Sequence, residues 1–260
     1  MPFADVNGQH LYFEDSGGEG YPVLFIHGFL MDHEMFAPQV AALSDAFRCI
    51  GIDARGFGQT PANAPFTYYD VVADVFALLD HLGLDRAVLV GMSQGGFIAL
   101  RAALTAPDRV TALVLIDTQA AIEDPAAVPL YQALHDEWVT NGPANVQDTI
   151  AGIILGAGCD PAGWIAKWNA APKENLTLPF RCLIERDDVS GRLGEIVCPA
   201  IVFHGDGDQT IAMAQAEALR DGLKGCERLV VVTDAGHASN ICRPEQVNAP
   251  MRDFLLAHAG

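Results

Sequence analysis

Along this chain, short unbroken apolar runs alternate with longer stretches whose apolar residues recur every three or four positions. Residues 21–26 read Tyr-Pro-Val-Leu-Phe-Ile, a continuous run of the kind a strand covered on both faces requires. Similar runs stand at 48–52, 86–90, 109–116, 200–204 and 228–232. Between them, 35–47 and 94–106 read as helices. Residues 67–82 place Val71, Val72, Val75, Leu78, Leu79 and Leu82 on one helical face, with Gly83 to end it. The spacing predicts further helices over 211–223 and 244–258. Near the start, Asn7-Gly8 suits a tight turn with two positive φ angles, so 10–14 should return as the second strand of a hairpin.

Alternation of strand and helix predicts an α/β fold: a mostly parallel sheet with helices on both faces. It is interrupted once. From Thr118 to about Val197 the chain is rich in alanine, proline and tryptophan and keeps only helical periodicity. Residues 1–117 and 198–260 are therefore expected to form the core. Residues 118–197 are expected to form an inserted helical cap over the carboxyl ends of the strands, where open α/β sheets bind ligands. Trp164 and Trp168 share a helical face and are candidates for the pocket lining. With Leu130, Trp138, Ile153, Ile154 and Leu155 they could equally be packing between cap and core. Five basic residues in this segment (Lys167, Lys173, Arg181, Arg186 and Arg192) suggest either a solvated face or a site for a carboxylate-bearing substrate.

The 260 residues, half of them hydrophobic, suffice for a substantial buried core. A formal charge of −18 repels phosphate backbones and argues against nucleic-acid binding. No apolar run approaches the roughly 20 residues of a membrane helix. The first residues lack the basic and apolar regions of a secretory signal, so a cytoplasmic location is the expectation. The six cysteines (Cys49, Cys159, Cys182, Cys198, Cys226 and Cys242) show no C-x-x-C pair and no zinc-ligand spacing. They read as reduced, buried thiols.

Chemistry enters at Gly91-Met92-Ser93-Gln94-Gly95, which lies between the run 86–90 and the helix 94–106. A G-x-S-x-G in that setting is a nucleophile elbow. The turn forces the serine into a strained backbone, and the flanking glycines remove β-carbons that would collide. A serine hydroxyl needs a neighbouring base. His237, in the loop Asp234-Ala235-Gly236-His237-Ala238 after a strand, fits that role better than the other seven histidines. The orienting carboxylate is expected from Gly205-Asp206-Gly207-Asp208, with Asp208 preferred and Asp206 a turn residue. Asp117, at the end of the strand after the elbow helix, is a competitor. Donors for an oxyanion are expected from the backbone N–H groups of Gln94 and of Phe29, in the loop His27-Gly28-Phe29, while the His27 side chain reads as a satisfied core histidine.

Together, His27-Gly28-Phe29, Asp53-x-Arg55-Gly56-x-Gly58, Gly91-x-Ser93-x-Gly95-Gly96, Gly205-x-x-Asp208 and Gly236-His237 resemble the α/β-hydrolase superfamily over essentially the whole chain. The chain looks closest to cytosolic carboxylesterases, 3-oxoadipate enol-lactonases and cofactor-free bromoperoxidase-type esterases. That resemblance implies about eight strands, a helical cap, a Ser93-Asp208-His237 triad and hydrolysis of a small ester or lactone, with no metal or organic cofactor and no nucleic-acid or membrane partner. Asp53, Arg55, Gly56 and Gly58 would be structural. Serine at the elbow argues against dehalogenases and epoxide hydrolases, which carry aspartate there. Carbon–carbon cleavage of vinylogous diketones, or a slow-turnover receptor on the same fold, are the alternatives.

Overall fold

The computed structural model describes residues 2–156 and 158–259. Eight strands form one sheet: β1 (Phe3–Val6), β2 (Gln9–Asp15), β3 (Tyr21–Ile26), β4 (Phe47–Ile52), β5 (Ala87–Met92), β6 (Val110–Ile116), β7 (Ala200–Gly205) and β8 (Cys226–Val232). Their spatial order is β1-β2-β4-β3-β5-β6-β7-β8. Strands β1, β2 and β4 pair antiparallel, and every later pairing is parallel. The Asn7-Gly8 turn, both residues at positive φ, closes the first hairpin.

Ten α-helices flank or follow these strands: α1 (Ala37–Leu43), α2 (Tyr68–His81), α3 (Gln94–Thr105), α4 (Val128–Asn141), α5 (Gln147–Ile154), α6 (Ala162–Ala170), α7 (Thr177–Ile184), α8 (Met213–Gly222), α9 (Ser239–Cys242) and α10 (Pro244–His258). Alternate residues of each strand point to opposite faces. Leu24, Ile26, Leu89 and Leu113 pack with α2, α3 and α8 on one face. Val23, Phe25, Val90 and Val114 pack with α1 and α10 on the other. Full burial on both faces explains why the central strands read as unbroken apolar runs.

Two features depart from the sequence expectation. The helix expected over 35–47 is a 3-10 turn, His33–Phe36, followed by a shorter α1, and Phe47 already opens β4. Pro38 sits in the first turn of α1, where the missing N–H costs nothing. The cysteines are not all reduced: Cys159 and Cys242 form a disulfide, with Cα atoms 5.1 Å apart across 83 residues of sequence. Cys49, Cys182, Cys198 and Cys226 remain free thiols. The pair joins the loop before α6 to the end of α9, a partnership between distant segments that spacing does not reveal.

Among the described residues no helix is long and apolar enough to cross a membrane. Helix boundaries elsewhere follow local chemistry. Thr67 accepts from the Asp70 N–H while the Asp70 carboxylate accepts from the Thr67 N–H, a reciprocal cap that starts α2.

Candidate active site

Ser93 joins β5 to α3 with φ +51 and ψ −116, a conformation L-residues avoid. The surroundings hold it there. Its N–H donates to the Ile116 carbonyl at 2.9 Å, and its own carbonyl accepts from Thr118 Oγ1 at 2.7 Å and from the Gly96 N–H at 2.9 Å. A β-carbon on Gly91 would strike the backbone of Gly95, and one on Gly95 would strike the Ile26 carbonyl. The two glycines thus let the elbow pass against its own helix and against β3.

His237 reaches the serine from a loop bent at Asp234, where φ is +56. Its Nε2 lies 2.9 Å from Ser93 Oγ, and its Nδ1 lies 2.8 Å from Asp208 Oδ2. An ionised carboxylate only accepts, so Nδ1 carries the proton and Nε2 faces the hydroxyl as an acceptor. Burial of the imidazole opposes its protonation, yet the Asp208 charge and hydrogen bond, with Asp117 and Glu123 beyond, raise its pKa above the ordinary 6.5. Burial pushes the Asp208 carboxyl up, but His237 and the N–H groups of Ile211 and Thr210 outweigh it and leave the pKa lowered. Those two N–H groups bond Asp208 Oδ1 at 3.0 and 2.8 Å.

Asp117, the competing carboxylate, is fully buried but does not bond the imidazole. Oδ1 accepts from the Gly205 N–H at 2.8 Å and Oδ2 from the Ser239 N–H at 2.9 Å. It therefore ties together the loops carrying Asp208 and His237. Burial pushes its pKa up to about 7. Asp206 bonds only the Ala235 N–H, at 3.4 Å, as a turn residue would.

Across the serine, the N–H groups of Phe29 and Gln94 have no partner among the described residues and are free to bind an oxyanion. The Phe29 loop is held from several sides. His27 Nε2 accepts from the Ala54 N–H at 2.9 Å, so Nδ1 donates to the Gly28 carbonyl at 2.7 Å. Burial lowers the His27 pKa and keeps the ring neutral. Leu30 adopts φ +60, and its carbonyl accepts from the Trp168 indole. Asp53 accepts from the N–H groups of His33 and Gln59, and Arg55 pairs with Asp74 of α2. Both serve the loop architecture.

A cavity of about 90 Å³ opens on Ser93 and His237. Its walls are almost wholly apolar: Leu134 of α4, Ile150 and Ile154 of α5 and Phe180 of α7 face Phe29 and Phe97. Trp164 and Trp168 are not among them. Trp168 is buried against Trp138, and both Trp164 and Trp168 line a neighbouring cleft beside Lys167. Of the other apolar candidates, Ile153 and Ile154 do line the cavity, whereas Leu130 is half exposed and Leu155 is core. Sequence reading missed Tyr131, Leu134 and His135, although their i, i+3, i+4 spacing on α4 carries the signal of a shared face. It also missed Glu123, which lines the cavity.

None of the five basic residues of 118–197 lines this cavity. Lys167 binds Asp32 and Glu34, Lys173 the Thr140 carbonyl, Arg181 Glu185, and Arg192 Glu195, while Arg186 binds Glu123.

The profile of the alpha/beta hydrolase fold family matches residues 21–244. A Mycobacterium tuberculosis protein described as a non-heme bromoperoxidase is 32% identical, with 94% of this chain and 97% of the relative covered. Among solved structures, the enol-lactonase from Burkholderia xenovorans LB400 superposes with a TM-score of 0.90 at 29% identity, covering 98% of this chain and 100% of that one. A thermophilic esterase from Thermogutta terrifontis superposes with a TM-score of 0.87 at 28% identity, covering 100% and 98%. By sequence and by architecture, the chain belongs to the α/β-hydrolase fold family and is related to its bromoperoxidase-like and enol-lactonase members.

Proposed function

We propose that this esterase/lactonase-type enzyme cleaves carboxylic esters or lactones through an acyl-serine intermediate, with Ser93 as nucleophile, His237 as base and Asp208 as the orienting acid. The observation that carries the reading is the continuous hydrogen-bonded line from Asp208 through His237 to Ser93. Ser93 Oγ attacks the carbonyl carbon while His237 Nε2 takes the hydroxyl proton. The negative charge that develops on the carbonyl oxygen is met by the N–H groups of Phe29 and Gln94. Collapse of the adduct expels the alcohol, which leaves with the proton from His237. Water then enters, gives a proton to Nε2 and attacks the acyl carbon, and the acid departs as Ser93 regains its proton. Asp208 keeps Nδ1 protonated and stabilises the imidazolium formed in each half.

On this reading, residues 1–117 and 198–260 supply the machinery, and residues 118–197 act as the cap that shapes the substrate cavity. The apolar contribution of α4, α5 and α7 to its walls supports that division. Intact-mass measurement during turnover of p-nitrophenyl acetate tests the chemistry. An acetyl adduct that maps to Ser93 and disappears in Ser93→Ala is expected. Steady hydrolysis by Ser93→Ala would overturn the assignment.

A further inference from the structure

Within this site, Glu123 stands apart. It is the one acidic side chain, among the described residues, that lines the cavity at Ser93, and no lysine or arginine lines it. Its side chain is 12% exposed, and one carboxylate oxygen lies 2.8 Å from Arg186 Nη1. Arg186 itself lines no part of that cavity. Its guanidinium is 2% exposed, sits 4.2 Å from the Phe97 ring centroid, and also donates to the carbonyls of Leu183 and Ala121. Glu123 thus lines the cavity, while the cation that pairs with it does not. Glu123, Tyr131 and Thr210 also line a neighbouring cleft, where Asp124 and Asp208 add two further carboxylates and, among the described residues, no lysine or arginine takes part.

We propose that the site selects esters with an uncharged acyl chain and rejects substrates bearing a carboxylate, and that Glu123 is the specificity-determining residue. This rests on the hydrolase reading above and narrows it. An anionic chain would lose hydration in an apolar cavity and meet a like charge there, without a cation to repay either cost. The other cations of the segment are engaged elsewhere, and the whole-molecule charge of −18 repels anions at longer range.

The test compares kcat/KM for three phenyl esters of similar length: phenyl heptanoate, the mono-phenyl ester of adipic acid, and phenyl 6-aminohexanoate. About 0.5 M salt shortens the Debye length to about 4 Å and suppresses the distant field. The heptanoate should lead and the adipate ester should trail it by about 100-fold or more. The ammonium ester should fall between them, because desolvation alone would penalise both charges alike. Glu123→Gln should raise the adipate-to-heptanoate ratio by about 10-fold or more. The sign of the charge preference in the unaltered protein gives a second readout that needs no variant. Equal handling of the two charged esters, or an unchanged ratio in soluble Glu123→Gln, would overturn the proposal while leaving the hydrolase reading intact. Failure to hydrolyse any of the three esters would overturn both.

Discussion

The indole Nε1 of Trp168 donates to the carbonyl of Leu30 at 2.7 Å, joining α6 to the loop that presents the Phe29 N–H. Leu30 is one of five non-glycine residues at positive φ among the described residues, and the indole holds its peptide in that orientation. Trp168→Phe keeps most of the packing and removes the donor. Loss of one such bond, worth about 1 kcal/mol, should lower kcat about 5-fold with little change in KM and weaken phosphonate inhibition in parallel. Steady-state kinetics with one ester and one phosphonate measure both.

Two carboxylates face different fates. Asp208→Asn removes the acceptor that fixes the imidazole tautomer and should cut kcat by about 10⁴-fold with little loss of stability. Asp117→Asn sets an amide NH₂ against a backbone N–H of Gly205 or Ser239. It should cost about 1–3 kcal/mol of stability while keeping most of the turnover below its melting temperature. Kinetics and denaturant midpoints on the two variants separate these roles.

The pH dependence has a definite sign. Protonated His237 cannot accept the Ser93 proton, so kcat/KM should rise with pH. Burial works against the imidazolium, but Asp208 outweighs it, which places the inflection above 6.5. Asp208→Asn should move the inflection downward. The raised pKa also stabilises the folded chain, fully below the ordinary value and progressively less as pH rises through the folded one. A pH–rate profile and a stability profile should therefore run in opposite directions across that window.

Backbone strain at Ser93 should be recoverable as stability. Glycine adopts φ +51 without a β-carbon clash. Relief of about 1–3 kcal/mol, less the roughly 1 kcal/mol of added chain entropy, predicts that Ser93→Gly is inactive and about 1 kcal/mol more stable. Thermal unfolding beside an activity assay checks both halves.

The Cys159–Cys242 bridge closes a loop of 83 residues. Chain-entropy reasoning assigns it about 4 kcal/mol, so Cys159→Ser should unfold at a lower denaturant midpoint, and reductant should then have no further effect. Unfolding curves with and without dithiothreitol measure this.

Strand positions were legible because both faces of the central sheet are covered, and a doubly buried strand has to be written in apolar residues. Ser93, Asp208 and His237 were legible as neighbours for another reason: each sits in a loop whose glycines announce a sharp turn at a strand end. The cavity walls were legible only in part: Ile153 and Ile154 were among the candidates and do line the cavity. Trp164 and Trp168 looked like pocket residues because large aromatics suit a pocket, but an indole that needs a hydrogen-bond partner found one in the Leu30 carbonyl instead. Glu123 escaped notice because a lone acidic residue in an acidic chain carries no signal until its partner, Arg186, is seen behind the wall. The disulfide escaped for a similar reason. Its partners are distant in sequence, and the packing of Leu155 and Gly156 against the 236–242 loop brings them together.

Ser93 and His237 meet across 144 positions of sequence. A ribosome-bound chain that has finished β5, α3 and β6 already holds its hydroxyl but has no imidazole to activate it. On the proposed assignment, competence arrives only after the last strand, when the loop carrying His237 has been made. On that assignment, newly made protein should be inert toward esters during its synthesis, and recovery of activity on refolding should report completion of the carboxyl-terminal third rather than collapse of the core.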